Sequence, residues 1–266
     1  MKVGISHLIM GGKSIEDFFK ESAKAGYESV ELCLRREGEL TLQTNSDDLK
    51  KIKKSAEELG LSIDSVVQSQ CTGNLLADGE AQQRSIDETI AGLHISAELG
   101  AKCVLHTLGG LNPQLYYDDA YRNGVQSLKK LAPIAENLNV AIAVEFVWNG
   151  FLFGPIEMRN FLNEIGSNAV GFYFDPGNMA VFQYPQHWVR ILGSHIKMMH
   201  AKDWTGNALN GRWTPLLEGG VDFPTVMREL KLSGYDNAII SEVDPGMASI
   251  EATAEAIRKI IKMAEA

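Results

Sequence analysis

The chain reads as an α/β protein, a single (β/α)₈ barrel spanning residues 1–266, and three observations carry that reading. The first is a recurring phrase: a helix-compatible segment, a glycine or once an asparagine, then a short β-rich run ending in a polar residue. The second is the helical spacing of apolar residues between those runs. The third is length, because 266 residues with 45% hydrophobic content suit one α/β barrel and its large core. An open doubly wound sheet is the competing arrangement, but no GxGxxG turn follows the first strand to support nucleotide binding there.

KVGIS forms the opening strand. The recurring phrases follow at Gly26 (YESVEL), Gly60 (LSIDSV), Gly100 (AKCVLH), Asn139 (VAIAVE), Gly166 (SNAVGFYFD), Gly193 (SHIKMMH) and Gly234 (YDNAIISE), making eight strands. Glycine and asparagine suit these positions because a helix commonly ends on a left-handed residue, which they adopt at little steric cost. Ile86, Ile90, Leu93 and Ala97 recur at helical spacing before Gly100, and Ile250, Ala254, Ile257 and Ile261 do so near the C-terminus. Ser14 before IEDFF and Ser46 before DDLKKI are the expected N-caps, with acidic residues in the first turn where the helix dipole favours them. Connections entering strands are short. Those leaving the third, fourth, fifth and seventh strands are long (QSQCTGNLLADGE, TLGGLNPQLYYDD, FVWNGFLFGP and DWTGNALNGRWTPLLEGG), which places the site at that end of the barrel.

A net charge of −9 and a pI near 5.2 present a repelling average field to a nucleic-acid backbone, so no nucleic-acid partner is expected. Cys33, Cys71 and Cys103 are odd in number and lack CxxC spacing, so they read as reduced thiols without a disulfide framework. The apolar run of the N-terminus is interrupted by Gly4, Ser6 and His7 and reads as a strand, not a signal peptide. No run approaches the roughly 20 apolar residues of a membrane span. The expectation is a cytoplasmic protein with no membrane partner, and a homo-oligomer is compatible with this chain.

The strand-closing residues carry the chemistry: Glu31 on the second strand, His106 on the fourth, Glu145 on the fifth, Asp175 on the sixth, His200 on the seventh and Glu242 on the eighth. The last four come from consecutive strands, which right-handed crossovers lay side by side so that these residues share one rim. Side chains alternate along a strand, so Glu145 shares its face with Ala141 and Ala143, and Glu242 with Ile240, which suits a barrel interior. Three carboxylates and an imidazole converging on one point must be protonated, paired with a cation or bound to a metal. One divalent metal ion satisfies all four, and an oxygen-rich set with one nitrogen favours Mn²⁺, Co²⁺ or Mg²⁺ over a closed tetrahedral site, with Zn²⁺ still compatible. The plain alternative is a set of solvated strand-end residues paired with loop lysines or arginines.

Trp148, Trp204 and Trp213 lie in the loops after the fifth and seventh strands, near Phe151 and Phe153. Aromatic faces over a polar floor suit the C–H faces of a sugar or cyclitol, and the alternative is that they pack the loops as a satellite core. Gly206, Gly211, Gly219 and Gly220 would let the seventh loop move as a lid. His7, His94, His187 and His195 read as structural or surface residues.

At AIAVEFV, YFDPGN, HAKDW and the closing GGVDFPTVMRELKLSGYDNAIISEVD, the chain resembles the sugar phosphate isomerase/epimerase family of xylose-isomerase-like TIM barrels, over nearly its whole length. That group includes ketose 3-epimerases and inosose isomerases and dehydratases. The resemblance implies that Glu145, Asp175, His200 and Glu242 hold the metal, that Glu145 and Glu242 double as the acid/base pair, and that His106 is a substrate position. Such chemistry removes a proton beside a carbonyl and returns it, with the metal stabilising the enediolate as charge develops.

Two departures bear on substrate. Ketose 3-epimerases typically carry a histidine three residues after the sixth-strand aspartate, where this chain has Asn178, and an arginine beyond the seventh-strand histidine, where it reads His200-Ala-Lys-Asp-Trp. Lys202 or Arg212 would replace that positive group, unless Lys202 pairs instead with Asp203 or Glu218. Asn178, with Gln68 and Gln70 at the third strand, also departs from the three-zinc endonuclease IV branch. The reading is therefore a metal-dependent isomerase or epimerase in carbohydrate metabolism, acting on a small sugar, sugar phosphate or cyclitol. Glu31, His106, Asn178, Lys202, Trp148, Trp204 and Trp213 are its expected substrate contacts. A dehydratase using the same metal site, and a non-catalytic sugar-binding barrel or partner subunit, are the alternatives.

Overall fold

A computed structural model describes residues 1–265; Ala266, the last residue of the expected domain, lies outside the described residues. The strands run in order as β1 (Val3–Ser6), β2 (Ser29–Cys33), β3 (Ser62–Val67), β4 (Cys103–His106), β5 (Ala141–Glu145), β6 (Val170–Phe174), β7 (Ile196–Ala201), β8 (Asp203–Asn207), β9 (Asn210–Thr214) and β10 (Ile239–Ser241). Eight of them close into a parallel barrel ordered β1-β10-β7-β6-β5-β4-β3-β2, while β8 and β9 form a separate antiparallel hairpin. The expected eighth strand is thus β10.

The main helices of the surrounding ring are α1 (Ile15–Lys24), α2 (Ser46–Glu58), α3 (Gly79–Leu99), α4 (Tyr117–Leu138), α5 (Pro155–Ile165), α6 (Pro176–Ala180), α7 (Pro185–Leu192), α8 (Phe223–Leu232) and α9 (Ile250–Met263). Gly26, Gly60, Gly100, Asn139, Gly166 and Gly234 all take positive φ between 54° and 84°, as the recurring phrase requires. Ser14 caps α1, accepting from the Asp17 amide at 3.1 Å. Asn45 rather than Ser46 caps α2, because its Oδ1 reaches the Asp48 amide at 3.0 Å and leaves Ser46 as the first helical residue.

Two apolar layers hold the barrel. Between strands and helices lie Phe18, Phe19, Phe161, Phe172, Phe174 and Trp188, each less than 2% exposed. Inside the barrel a smaller set, including Cys33, Val67, Leu105, Ala143, Tyr173, Met198 and Ile240, alternates with the outward residues. All three cysteines are buried and unpaired. No helix among the described residues is long and apolar enough to cross a membrane.

The glycine-rich loop after β7, read from its composition as a lid, is anchored at its base. The Asp203 carboxylate accepts from the amides of Trp204, Leu217, Gly219 and Val221 at 2.9–3.1 Å and ties the loop to the end of β7. Glycine is needed there for close approach: a Cβ at Gly219 would sit 2.2 Å from Asp203 Oδ1, and one at Gly211 2.4 Å from the Trp204 ring.

Candidate metal centre and its cavity

Glu145, Asp175, His200 and Glu242 meet at the end of the barrel where β5, β6, β7 and β10 finish. One potential ligand atom from each lies within 4.8 Å of the others. The alternation argument explains this. Tyr173 and Asp175, Met198 and His200, and Ile240 and Glu242 occupy alternate positions on their strands, so the residues beneath them fill the interior while the polar residues cap it. Asp175 also caps α6, accepting from the Asn178 amide at 3.1 Å, so its carboxylate is held at the turn from strand to helix.

His200 is fully buried and oriented from behind. Its Nε2 lies 2.9 Å from Glu31 Oε1, while Nδ1 faces the cluster, 3.4 Å from Glu145 Oε1 and 3.5 Å from Glu242 Oε2. Donation from Nε2–H to Glu31 leaves Nδ1 as the atom available to a metal. Glu31 is thereby placed differently from its expected role. It is 0% exposed beneath the cluster, accepting also from Ser6 Oγ (2.7 Å), Ser65 Oγ (2.7 Å) and Tyr173 OH (2.6 Å), and it cannot touch a substrate in the cavity. Burial opposes its charge, but His200 and the hydroxyls of Tyr173 and Ser6 outweigh burial and hold its pKa below the ordinary glutamate value.

Each outer glutamate has its own partner. Asn178 Nδ2 donates to Glu145 Oε1 at 3.3 Å and to the Phe146 carbonyl at 3.1 Å. Lys202 Nζ lies 2.6 Å from Glu242 Oε2 and 3.1 Å from Asp175 Oδ2, so it serves the cluster and pairs with neither Asp203 nor Glu218. Burial, together with the neighbouring charges of Glu242 and Asp175, pushes the Glu145 pKa up to about 7 against the opposing effect of His200. Burial works against a charged His200, but the carboxylates of Glu31, Glu242 and Glu145 raise its pKa well above the ordinary value. With Nδ1 deprotonated for a metal and the three carboxylates ionised, Lys202 offsets only one of their charges, and this oxygen-rich set with one imidazole nitrogen fits a divalent cation.

A cavity of about 480 Å³ opens above, with Glu145, Asn178, Lys202, Glu242, Trp148 and Trp213 in its walls. Wider clefts on the surface hold none of the four cluster residues. Trp148 and Trp213 stack with ring centroids 5.4 Å apart and 1° between planes, and Lys202 Nζ lies 4.8 Å from the Trp213 centroid. Trp204 stands edge-on behind both rings and is 7% exposed, so it supports this wall and is not one of the cavity's lining residues. His106 also falls outside the cavity. It follows inward-facing Leu105 and so points outward between β4 and α3, where it is 1% exposed and its Nε2 lies 3.0 Å from Thr72 Oγ1. Its Nδ1 accepts from the Leu108 amide at 2.8 Å, and burial pushes its pKa down to about 4. It is a satisfied core histidine.

Sequence reasoning missed Tyr173, Ser6 and Ser65 as supports of Glu31. The available signal was parity, since each lies on the inward face of its strand.

Comparison with known proteins agrees with this architecture. Residues 19–262 match the family described as xylose isomerase-like TIM barrel. An uncharacterised protein of Methanocaldococcus jannaschii, MJ1311, is 29% identical over 142 residues, 50% of this chain and 48% of that protein. This chain's match therefore spans about half the length of that relative. Among solved structures, a D-tagatose 3-epimerase-like protein superposes with TM-score 0.85 at 21% identity, covering 100% of this chain and 98% of that one. D-psicose 3-epimerase in the presence of D-fructose gives 0.82 at 17% identity, with 100% of both chains covered. The 3-keto-D-glucoside 4-epimerase of E. coli gives 0.78 at 16%, covering 97% and 99%. By the match across most of its length, with the closed eight-stranded barrel beneath it, the chain belongs to the xylose isomerase-like TIM barrel family.

Proposed function

We infer that this protein is an isomerase or epimerase of a small polyhydroxylated carbonyl compound, moving a proton at the carbon beside the carbonyl. The observation that carries the reading is the pairing of two independently held glutamates, Glu145 on Asn178 and Glu242 on Lys202, in the wall of one cavity above Asp175 and His200. Glu145, Asp175, His200 and Glu242 would hold one divalent ion, Mn²⁺ first among the candidates. When bound, that ion would supply positive charge to a carbonyl oxygen as the proton leaves its neighbour.

The chain's own residues do the rest. Glu145, in the cavity wall, is the first acid/base group, placed to take a proton from the substrate carbon and give it back. Glu242, held by Lys202, is the second acid/base group, and two groups permit removal from one face of the enediolate and return to the other. Asn178 keeps Glu145 turned toward the cavity. Trp148 and Trp213 offer aromatic faces to C–H groups and exclude water from that side. An aromatic wall in the same cavity as the acid/base pair supports an enzyme over a non-catalytic partner subunit. The epimerase titles of the structural relatives support the same reaction class.

The test is NMR of the Mn²⁺-loaded protein in D₂O with a panel of ketoses, ketose phosphates and inososes. Deuterium entering beside the carbonyl is expected for the true substrate class. No exchange across the panel, or exchange that survives both Glu145→Gln and Glu242→Gln, would overturn the assignment.

A further inference from the structure

A second cleft opens between the ends of β1 and β2, next to the central cavity. Leu8 lines the cavity, its neighbour His7 lines the cleft, and Cys33 of the barrel interior forms part of the cleft wall. The volume is about 230 Å³, and Gly11, Gly12, Lys13, Arg35 and Glu39 complete the polar surroundings. Added Cβ atoms at Gly11, Gly12 or Gly38 would meet nothing within 4 Å, so the backbone at this edge is open to a ligand.

Two groups in the cleft lack partners. Arg35 follows Glu31 and Cys33 at alternate positions and so continues the inward face of β2 toward the barrel mouth. It is half-buried, and among the described residues its guanidinium forms no ion pair or hydrogen bond. Lys13 pairs with Glu21, and the Glu39 carboxylate is held by the Ile15 amide at 3.0 Å, forming an ion pair with neither Arg35 nor Lys13. His7 is 5% exposed and stacks on Phe18 at 4.7 Å, with Nε2 donating to the Lys13 carbonyl at 3.0 Å. Its Nδ1 is buried without a partner, which native interiors rarely tolerate. Burial first, and then the charge of Arg35, lower the His7 pKa, and with Nε2 donating to Lys13 the Nδ1 atom is left as an acceptor.

A guanidinium in want of an anion, beside a ring nitrogen in want of a hydroxyl, matches one ligand chemistry: an oxyanion that also carries an O–H, such as hydrogen phosphate, a phosphate monoester or a hydroxycarboxylate. We propose that this cleft is an oxyanion site anchored by Arg35, with His7 Nδ1 receiving the ligand's hydroxyl. Sequence reasoning sought the missing positive group at Lys202 or Arg212. Lys202 is committed to the acidic cluster and Arg212 lies exposed on the β8–β9 hairpin, whereas Arg35 follows β2 in the wall of the neighbouring cleft.

The experiment is a calorimetric titration of the full chain with inorganic phosphate, in a chelator so that phosphate cannot report on a metal at the cluster. Binding on the order of 1 mM is expected, weakened at least about tenfold by Arg35→Met and unchanged by Arg212→Met. The His7 ring ¹⁵N resonances should shift on phosphate addition. No binding, equal loss in both arginine variants, or an unmoved His7 signal would overturn the site. Fructose 6-phosphate and fructose then separate the sources. An ester that binds more tightly than phosphate makes the oxyanion the tail of a substrate reaching into the cavity, equal binding makes it a free anion, and either result supports the site. No turnover is measured, so failure here leaves the isomerase reading intact, and the reverse also holds.

Discussion

Replacing Glu31 with glutamine tests whether the buried network behind His200 governs the metal centre. The carboxylate accepts from four donors: Ser6, Ser65, Tyr173 and His200 Nε2. A glutamine is neutral and keeps only one acceptor oxygen, so all four donors lose a charged partner, about half of them face an NH₂ in place of an acceptor, and His200 loses the carboxylate that holds its proton on Nε2. Outer-shell changes of this kind weaken metal binding by about 10- to 100-fold, or about 1.4–2.8 kcal/mol. Mn²⁺ titration followed by EPR, with a thermal melt to confirm folding, measures the loss. With diamagnetic Zn²⁺ in place of Mn²⁺, the ¹⁵N spectrum of His200 reports the tautomer directly, with Nε2 protonated in the parent and a mixture expected in Glu31→Gln. An Mn²⁺ affinity within about twofold of the parent, with the tautomer unchanged, would refute the reasoning. A parent chain that takes no Mn²⁺ would instead refute the metal reading.

Other expected outcomes follow from the same geometry. Glu145→Gln and Glu242→Gln should each slow deuterium exchange into substrate by about 10² to 10⁴, read by NMR. Lys202→Met strands the Asp175 and Glu242 carboxylates and should destabilise the metal-free protein by about 3–5 kcal/mol, with part of the loss recovered on adding Mn²⁺; a melting temperature equal to the parent's would refute the pairing. His106 has its folded pKa depressed to about 4, so the unfolded chain takes up a proton that the native state refuses. Stability should therefore fall as pH drops from about 6.5 toward 4, by up to about 3 kcal/mol, and urea melts of His106→Gln should lack that portion of the slope. Gly219→Ala forces a methyl against Asp203 and should cost about 1–3 kcal/mol, whereas Gly12→Ala, with open space around it, should be near neutral in the same assay.

The sequence by itself determined the barrel and the rim. Recurrent helix-ending residues and short β-rich runs are local signals, set by backbone sterics within a few residues, and they located all eight barrel strands. The same locality explains why Glu145, Asp175, His200 and Glu242 were legible together: each closes a strand, and adjacent strands leave their ends side by side. Which way the remaining polar residues face was not decided locally. CVLH is apolar on both faces up to His106, so either parity was compatible until the barrel's interior layer placed Cys103 and Leu105 inward and His106 outward. Glu31 looked like another rim residue, but β2 continues past it through Cys33, which leaves its carboxylate one layer deeper, where only hydroxyls from β1, β3 and β6 and the imidazole of β7 can reach it. Trp204 and Trp213 are equivalent by composition and stand directly opposite each other across β8 and β9, so it is the seating of the hairpin on the barrel that covers Trp204 and leaves Trp213 to line the cavity. The partners of Lys202 and the open charge of Arg35 depend on distances between strands far apart in the chain, and only closure of the barrel sets those distances.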